Sequence, residues 1–265
     1  MLEAQREKQA VVLLSGGLDS TTALYAALRD GFRPHALTMD YGQRHKKETE
    51  CARWIAAHLG IEIKEISIEL PWKGSALLDT EISLPKGRSL EEMSNLIPIT
   101  YVPARNTIFL SFALSWAEVL KAEAIYIGAN SLDYSGYPDC RPEYFQAMQE
   151  VFSRATKATV EGHKIRILAP LLRMTKAGII RLGHKLQVPF EHTWSCYQGE
   201  AEPCGECDSC LLREKGFREA ELTDPLMSHQ QSAGAPALAG GPQPQYSPGV
   251  PGHGRVAAER SGAVP

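Results

Sequence analysis

One junction near the start of the chain constrains the fold more than any other feature. Ala10 to Leu14 is an unbroken apolar run, Ser15-Gly16-Gly17-Leu18-Asp19-Ser20 follows it directly, and Thr22 to Arg29 carries apolar residues at helical spacing. A short continuous apolar run suits a strand buried on both faces, as in a parallel sheet covered by helices. Two adjacent glycines let the backbone turn tightly between strand and helix. A chain that begins this way is set for β-α alternation.

The alternation continues. Pro34 to Asp40 and Ile61 to Ile68 read as strands, with Glu48 to Leu59 between them as an amphipathic helix closed by Gly60. Asn106 to Lys121 is a strongly apolar helix and Ala124 to Gly128 a fourth buried strand. Pro142 to Ala158, Ile165 to Leu168 and Lys176 to Leu186 then read as helix, strand and helix. The expected fold class is α/β, a doubly wound parallel sheet. Only Trp72 to Pro98 breaks the rhythm, and an interval that long suggests either a lid or a plain insertion.

Composition changes near Met227. From Ser232 to Pro265, 7 residues are Gly and 6 are Pro, and no apolar periodicity survives, so the stretch has too little to bury to offset its ordering entropy. The expected organisation is an α/β domain over 1–190, a small cysteine-bearing segment over 191–226 and a disordered Gly/Pro-rich tail over 227–265. With 28 Lys+Arg against 31 Asp+Glu, no general polyanion binder held by overall charge is expected. There is no apolar run of about 18 residues, which argues against a membrane span. The N-terminal sequence lacks the order of a signal peptide, so a cytoplasmic location is expected.

The turn itself carries chemistry. Free N–H groups at a helix start, with the helix dipole, favour an anion. Ser15 and Ser20 add hydroxyl donors, and Asp19 beside a phosphate calls for a bridging cation, Mg²⁺. The pattern is neither GxxxxGK[ST] nor GxGxxG, which disfavours ordinary P-loop kinases and dinucleotide-binding enzymes. Two glycines alone would favour a plain turn capped by Ser20 or Asp19. The whole hexapeptide after an apolar strand resembles the SGGxDS loop of the PP-loop ATP pyrophosphatase superfamily. That resemblance implies an adenine nucleotide alpha hydrolase-like fold and ATP cleavage that activates a carbonyl or carboxyl oxygen as an adenylate. It assigns Leu14, Ser15, Gly16, Gly17, Leu18, Asp19 and Ser20 to ATP.

Cys196, Cys204, Cys207 and Cys210 follow the spacing C-x7-C-x2-C-x2-C, with Gly205 permitting a tight turn. In an unsecreted chain such clustering points to metal rather than disulfides. Four thiolates make a closed, structural site of the zinc type. An iron–sulfur cluster is the competing occupant, although the ferredoxin run continues with Cys-Pro where this chain has Leu211-Leu212-Arg213.

The segment Gly128 to Glu143 leaves a buried strand at its carboxyl end, where open α/β sheets place ligands. Aromatic rings there can stack on a planar base, carboxylates can accept its N–H groups, and Arg141 is a planar fork for carboxylate or phosphate. Composition alone favours a surface loop with Pro142 starting the next helix. The SGGLDS loop, Tyr41-Gly42-Gln43-Arg44-His45, Tyr101-Val102-Pro103-Ala104-Arg105-Asn106, DYSGYPDCRPE and the cysteine spacing together resemble the 7-cyano-7-deazaguanine synthase family, from about Val11 to Leu212.

That resemblance implies a ligase making a nitrile from 7-carboxy-7-deazaguanine, ammonia and ATP, through an adenylated acid and an amide, on the route to queuosine. It implies a homodimer, small-molecule partners and no nucleic acid. Asp133, Tyr137, Asp139 and Arg141 are the expected deazaguanine residues. Arg105 and Lys176 are expected at phosphate or carboxylate charge, with Asp19, Ser20 and Lys176 as the catalytic group. Gln43, Arg44 and His45 either close over the site or simply begin a helix. Two other readings stand beside this one: another PP-loop adenylating enzyme such as a tRNA sulfurtransferase, for which Cys140 is the spare thiol, and a zinc-stabilised nucleotide-binding module without catalysis. The nucleotide product, AMP or ADP, is left open.

Overall fold

The computed structural model describes residues 7–94, 97–132 and 136–226. The expected tail therefore lies outside the described residues. Five strands form one sheet: β1 Lys8–Leu13, β2 Phe32–Asp40, β3 Ile63–Ser67, β4 Ala124–Ile127 and β5 Arg166–Leu168. They run in the order β3-β2-β1-β4-β5, and every pairing is parallel. Eight α-helices accompany them among the described residues: α1 Leu18–Arg29, α2 Lys47–Leu59, α3 Leu90–Ser94, α4 Arg105–Leu120, α5 Pro142–Ala155, α6 Lys157–Val160, α7 Lys176–Lys185 and α8 Asp208–Ala220.

The apolar run of β1 explains the layering. Successive side chains of a strand point to opposite faces. Val11 and Leu13 enter a core with Leu37, Ile125, Leu110 of α4 and Phe152 of α5. Ala10, Val12 and the following Leu14 enter another with Leu24 of α1 and Ile55 of α2. A strand buried on both faces has no polar side to spare, hence the unbroken run. The sheet is doubly wound, as the sequence predicts.

Two helical boundaries depart from that reading. The single helix predicted over Pro142 to Ala158 breaks at Thr156, which is extended (φ −128°, ψ 157°). Its hydroxyl accepts from Thr159 N at 3.2 Å, while Thr159 Oγ1 accepts from Thr156 N at 3.3 Å. These local side-chain bonds compete with helical continuation and start α6 afresh. Helix α8 lies in the cysteine-bearing segment, for which the sequence reading expects no helix. It packs Phe217 and Ala220 against Ile179 and Ile180 of α7.

The interval from Trp72 to Pro98 is tethered at two places along its course. Arg44 donates to the carbonyl oxygens of Ala76 at 2.5 Å, Asp79 at 2.7 Å and Ile82. Farther on, Lys86 bridges antiparallel to Cys207, Gly87 N donates to Glu206 O at 2.9 Å, and Arg88 pairs with both oxygens of buried Asp208. Strand order reverses between β1 and β4, and the crevice at their carboxyl ends is where such sheets bind ligands. Among the described residues, no helix is long and apolar enough to cross a membrane.

Candidate active site

A cleft of about 290 Å³ opens at that switch point. Leu14, Ser15, Gly17, Leu18, Asp19 and Ser20 line it, whereas Gly16 turns away into α2. Gly16 has φ +89°, and a Cβ there would lie 2.0 Å from Glu48 O and 2.6 Å from Ala52 N, so no larger residue fits. Inside the turn, Ser20 Oγ accepts from Ser15 N at 3.2 Å and lies 3.0 Å from Ser15 Oγ. Ser15 Oγ also accepts from Gly17 N at 3.2 Å. The first residue flanking α1 is Gly17, and it makes no side-chain cap. The leading N–H groups of α1 thus lack a capping side chain, the arrangement that accepts an anion.

Asp19 and Lys176 meet, although 157 residues separate them. Lys176 Nζ donates to both carboxylate oxygens, at 2.8 and 2.7 Å. The lysine reaches the cleft because α8 yields space: a Cβ on Gly216 would lie 2.4 Å from Lys176 Cγ. Gly128, just after β4, does the same for α1, since a Cβ there would sit 2.7 Å from Ser20 N.

Arg105, at the start of α4, lines the opposite wall with its guanidinium 3.5 Å from Tyr41 Oη. Tyr137 shares this wall, its hydroxyl 3.0 Å from Thr100 Oγ1 and its ring 5.7 Å from that of Tyr101. Cys140 also lines the cleft, and burial pushes its thiol up to about 11. Glu48 reaches in from α2; burial pushes its carboxyl up to about 7, against the opposing pull of Arg105.

The remaining predicted residues of the substrate stretch are placed differently. Asp133 lies outside the described residues. Asp139 is buried away from the cleft lining, with its carboxylate accepting from Asn106 N at 3.0 Å. Asn106 Nδ2 donates back to Asp139 O at 2.9 Å. Ala104, which precedes α4, is in the left-handed region and offers no side-chain cap, so Asp139 supplies a partner for the helix's first turn from another element. Arg141 is exposed at the start of α5 and does not line the cleft. Of Gln43, Arg44 and His45, only Gln43 faces the cleft.

The four cysteine sulfurs lie within 4.8 Å of one another. Sulfurs bound at about 2.3 Å to a tetrahedral ion stand about 3.8 Å apart, so the cluster fits one thiophilic ion. Backbone N–H groups point at the sulfurs: Cys204 N at 3.4 Å from Cys196 Sγ and Cys207 N at 3.3 Å from Cys204 Sγ. Hydrogen bonds from Cys207 and Cys210 hold the Cys196 thiol far below its ordinary range. The segment is joined to the phosphate turn, with Trp194 N donating to Gly16 O at 3.0 Å.

A family model described as queuosine biosynthesis protein QueC matches residues 9–221. The chain belongs to this family. The 7-cyano-7-deazaguanine synthase of Trichodesmium erythraeum (strain IMS101) is 59% identical over 221 residues, covering 83% of this chain and 100% of that protein. The 7-cyano-7-deazaguanine synthase of Nostoc punctiforme (strain ATCC 29133 / PCC 73102) is 56% identical over 221 residues, covering 83% and 99%.

The QueC match spans the turn, the cleft walls and all four clustered cysteines. Several residues of this site were not foreseen. In sequence Glu48 is only the first residue of an amphipathic helix, and no local pattern distinguishes it from other first-turn acids. Gly216 sits in a helix, where glycine costs about 1 kcal/mol relative to alanine, and that cost was the available hint of a close approach.

Proposed function

We propose that this protein is a 7-cyano-7-deazaguanine synthase, a ligase that converts 7-carboxy-7-deazaguanine and ammonia into the nitrile at the expense of ATP. The observation that carries the reading is the convergence of the Ser15–Ser20 turn, Lys176, Arg105 and Tyr137 on one cleft. ATP phosphates lie on the turn, held by the N–H groups of α1 and the hydroxyls of Ser15 and Ser20. Lys176 neutralises Asp19 in the absence of nucleotide; Asp19 would hold the Mg²⁺ that accompanies ATP, and Lys176 would then turn to a phosphate. The Arg105 guanidinium attracts the substrate carboxylate, and the Tyr137 ring offers a stacking face to the deazapurine.

The chemistry needs two activations, one of the acid to permit an amide and one of the amide to permit dehydration. In each, the chain's contribution is positioning and charge neutralisation around a departing phosphate oxygen. Zinc held by Cys196, Cys204, Cys207 and Cys210 supplies a structural cross-link. A cytoplasmic homodimer is the form this reading assigns, and sedimentation equilibrium tests the dimer.

The deciding experiment is mass spectrometry of purified protein with 7-carboxy-7-deazaguanine, ammonium, ATP and Mg²⁺. The nitrile should appear, with AMP and pyrophosphate as the superfamily resemblance implies; absence of both amide and nitrile from folded, metal-replete protein refutes the reading. Cys140→Ser should keep turnover within about threefold, because a thiol pushed up to about 11 is not a thiolate at neutral pH. Abolished turnover would favour the sulfur-transfer alternative.

A further inference from the structure

Making a nitrile from an acid and ammonia strips nitrogen of every hydrogen. Nitrogen enters with three N–H bonds and leaves with none, while both oxygens of the acid depart on nucleotide phosphates as anions. Each turnover must therefore remove three protons from one nitrogen held in one place. This inference rests on the nitrile-forming reading above.

Few groups in the cleft can take those protons. No histidine is among its described lining residues. Both oxygens of Asp19 are engaged by Lys176, and in the reading above they turn to the cation that accompanies the nucleotide. Burial pushes the Tyr41 hydroxyl and the Cys140 thiol upward, away from neutrality. Glu48 differs from all of these. It lines the cleft beside the phosphate turn, where a Cβ on Gly17 would lie 3.4 Å from its Oε1. Among the described residues its carboxylate has neither an ion-pair partner nor a side-chain hydrogen bond. The groups that face it are Arg105 from α4, Tyr41 from the end of β2 and Cys51 on α2 itself.

We infer that the Glu48 carboxylate accepts the protons of the substrate nitrogen, first in amide formation and again in dehydration. In amide formation the nitrogen lone pair makes the C–N bond, the C–O bond to the nucleotide phosphate breaks with its electrons on oxygen, and one proton passes to Glu48. When ATP turns the amide oxygen into a phosphate ester, nitrogen gives up a second proton. When that ester departs, the remaining N–H electron pair becomes the third C–N bond, and its proton follows the same route. Glu48 returns each proton to water. A carboxyl pushed up to about 7 suits such a base at neutral pH.

The test follows conversion of the amide, 7-amido-7-deazaguanine, to the nitrile at saturating ATP, which is free of ammonium's own titration. For the unmodified protein the rate should fall tenfold per pH unit below an apparent pKa near 7. Glu48→Gln should lower the rate by about 10²- to 10⁴-fold and abolish that acid limb. The same variant should cleave ATP in an acid-dependent single turnover without ammonium, within about threefold of the unmodified rate, since that step moves no N–H proton. Glu48→Asp should retain the acid limb at an intermediate rate. A flat profile for the unmodified protein, amide conversion within about threefold in Glu48→Gln, or parallel loss of the first ATP cleavage would overturn the proposal; the last would assign Glu48 to the phosphates. Should Glu48→Gln fail to fold, the unmodified profile and Glu48→Asp decide. Absence of acid-dependent ATP cleavage in the unmodified protein would instead refute the nitrile-forming reading, whatever Glu48 does.

Discussion

At the scale of single residues, the cleft trades stability for chemistry. The ordinary glutamate value is 4.5, and Glu48 is raised to about 7 in the folded chain. Between those values the native state keeps a proton that the unfolded chain releases, so this group's contribution to stability declines as pH rises from about 4.5 to 7. Glu48→Gln should therefore be more stable than the unmodified protein at pH 8, by on the order of 2 kcal/mol, and show no gain at pH 4. Urea unfolding at the two pH values checks the sign. Asp139 presents the reverse case: its carboxylate serves the start of α4. Asp139→Ala should cost about 1–3 kcal/mol while leaving the KM for ATP within threefold. A raised substrate KM at unchanged stability would show instead that Asp139 acts on the deazaguanine.

At the scale of elements, what matters is how the phosphate turn is held. Helix α2 presses on it through Gly16, and β4 approaches it through Gly128. Gly16→Ala should abolish ATP binding, read by calorimetry, because the turn can relieve the clash only by separating from α2. The strap over residues 73–94 behaves as a docked element rather than a free lid. Arg88 lies over Asp208, whose side chain is 0% exposed, at the first turn of α8. Removing Arg88 takes two charge-assisted hydrogen bonds from a buried carboxylate, so Arg88→Ala should cost about 3 kcal/mol and hasten proteolysis within 73–94. Unchanged cleavage there would show that Arg44 and the pairing of Lys86 and Gly87 with Cys207 and Glu206 hold the strap without Arg88.

At the scale of the whole molecule, the cysteine segment is the fastener between parts that the sheet does not join. It contacts the phosphate turn through Trp194, the strap through Cys207 and Glu206, and the lysine of the cleft through Gly216. Chelation should therefore raise amide hydrogen exchange at Gly87 and around Gly16 while sparing β1 and β2, whose hydrogen bonds lie within the sheet. Metal analysis should return about one zinc per chain. Exchange unaltered outside the segment would confine the metal's influence to the knuckle itself.

Much of this was legible in order along the chain. The unbroken run at β1, the two glycines after it and the repeated switch between periods specify a parallel α/β sheet, because each is a local pattern with a local physical cause. The four cysteines carry their own spacing and so announce a metal site before any fold is known. Placement across the chain was legible only through the family resemblance, which groups Lys176 with Asp19 and Ser20; the local sequence is silent on it. Nothing near Lys176 says that it will meet Asp19, nor anything near Asp139 that it will cap α4 rather than face the cleft. Glu48 looks like any first-turn acid until α2 is laid against the phosphate turn and burial raises its proton affinity. Sequence alone determined the elements and the kinds of chemistry available, since propensity, periodicity and ligand spacing act over a few residues. Tertiary structure decided which side chains share the cleft and in what charge state, since those depend on distances and burial that arise only when remote segments pack together.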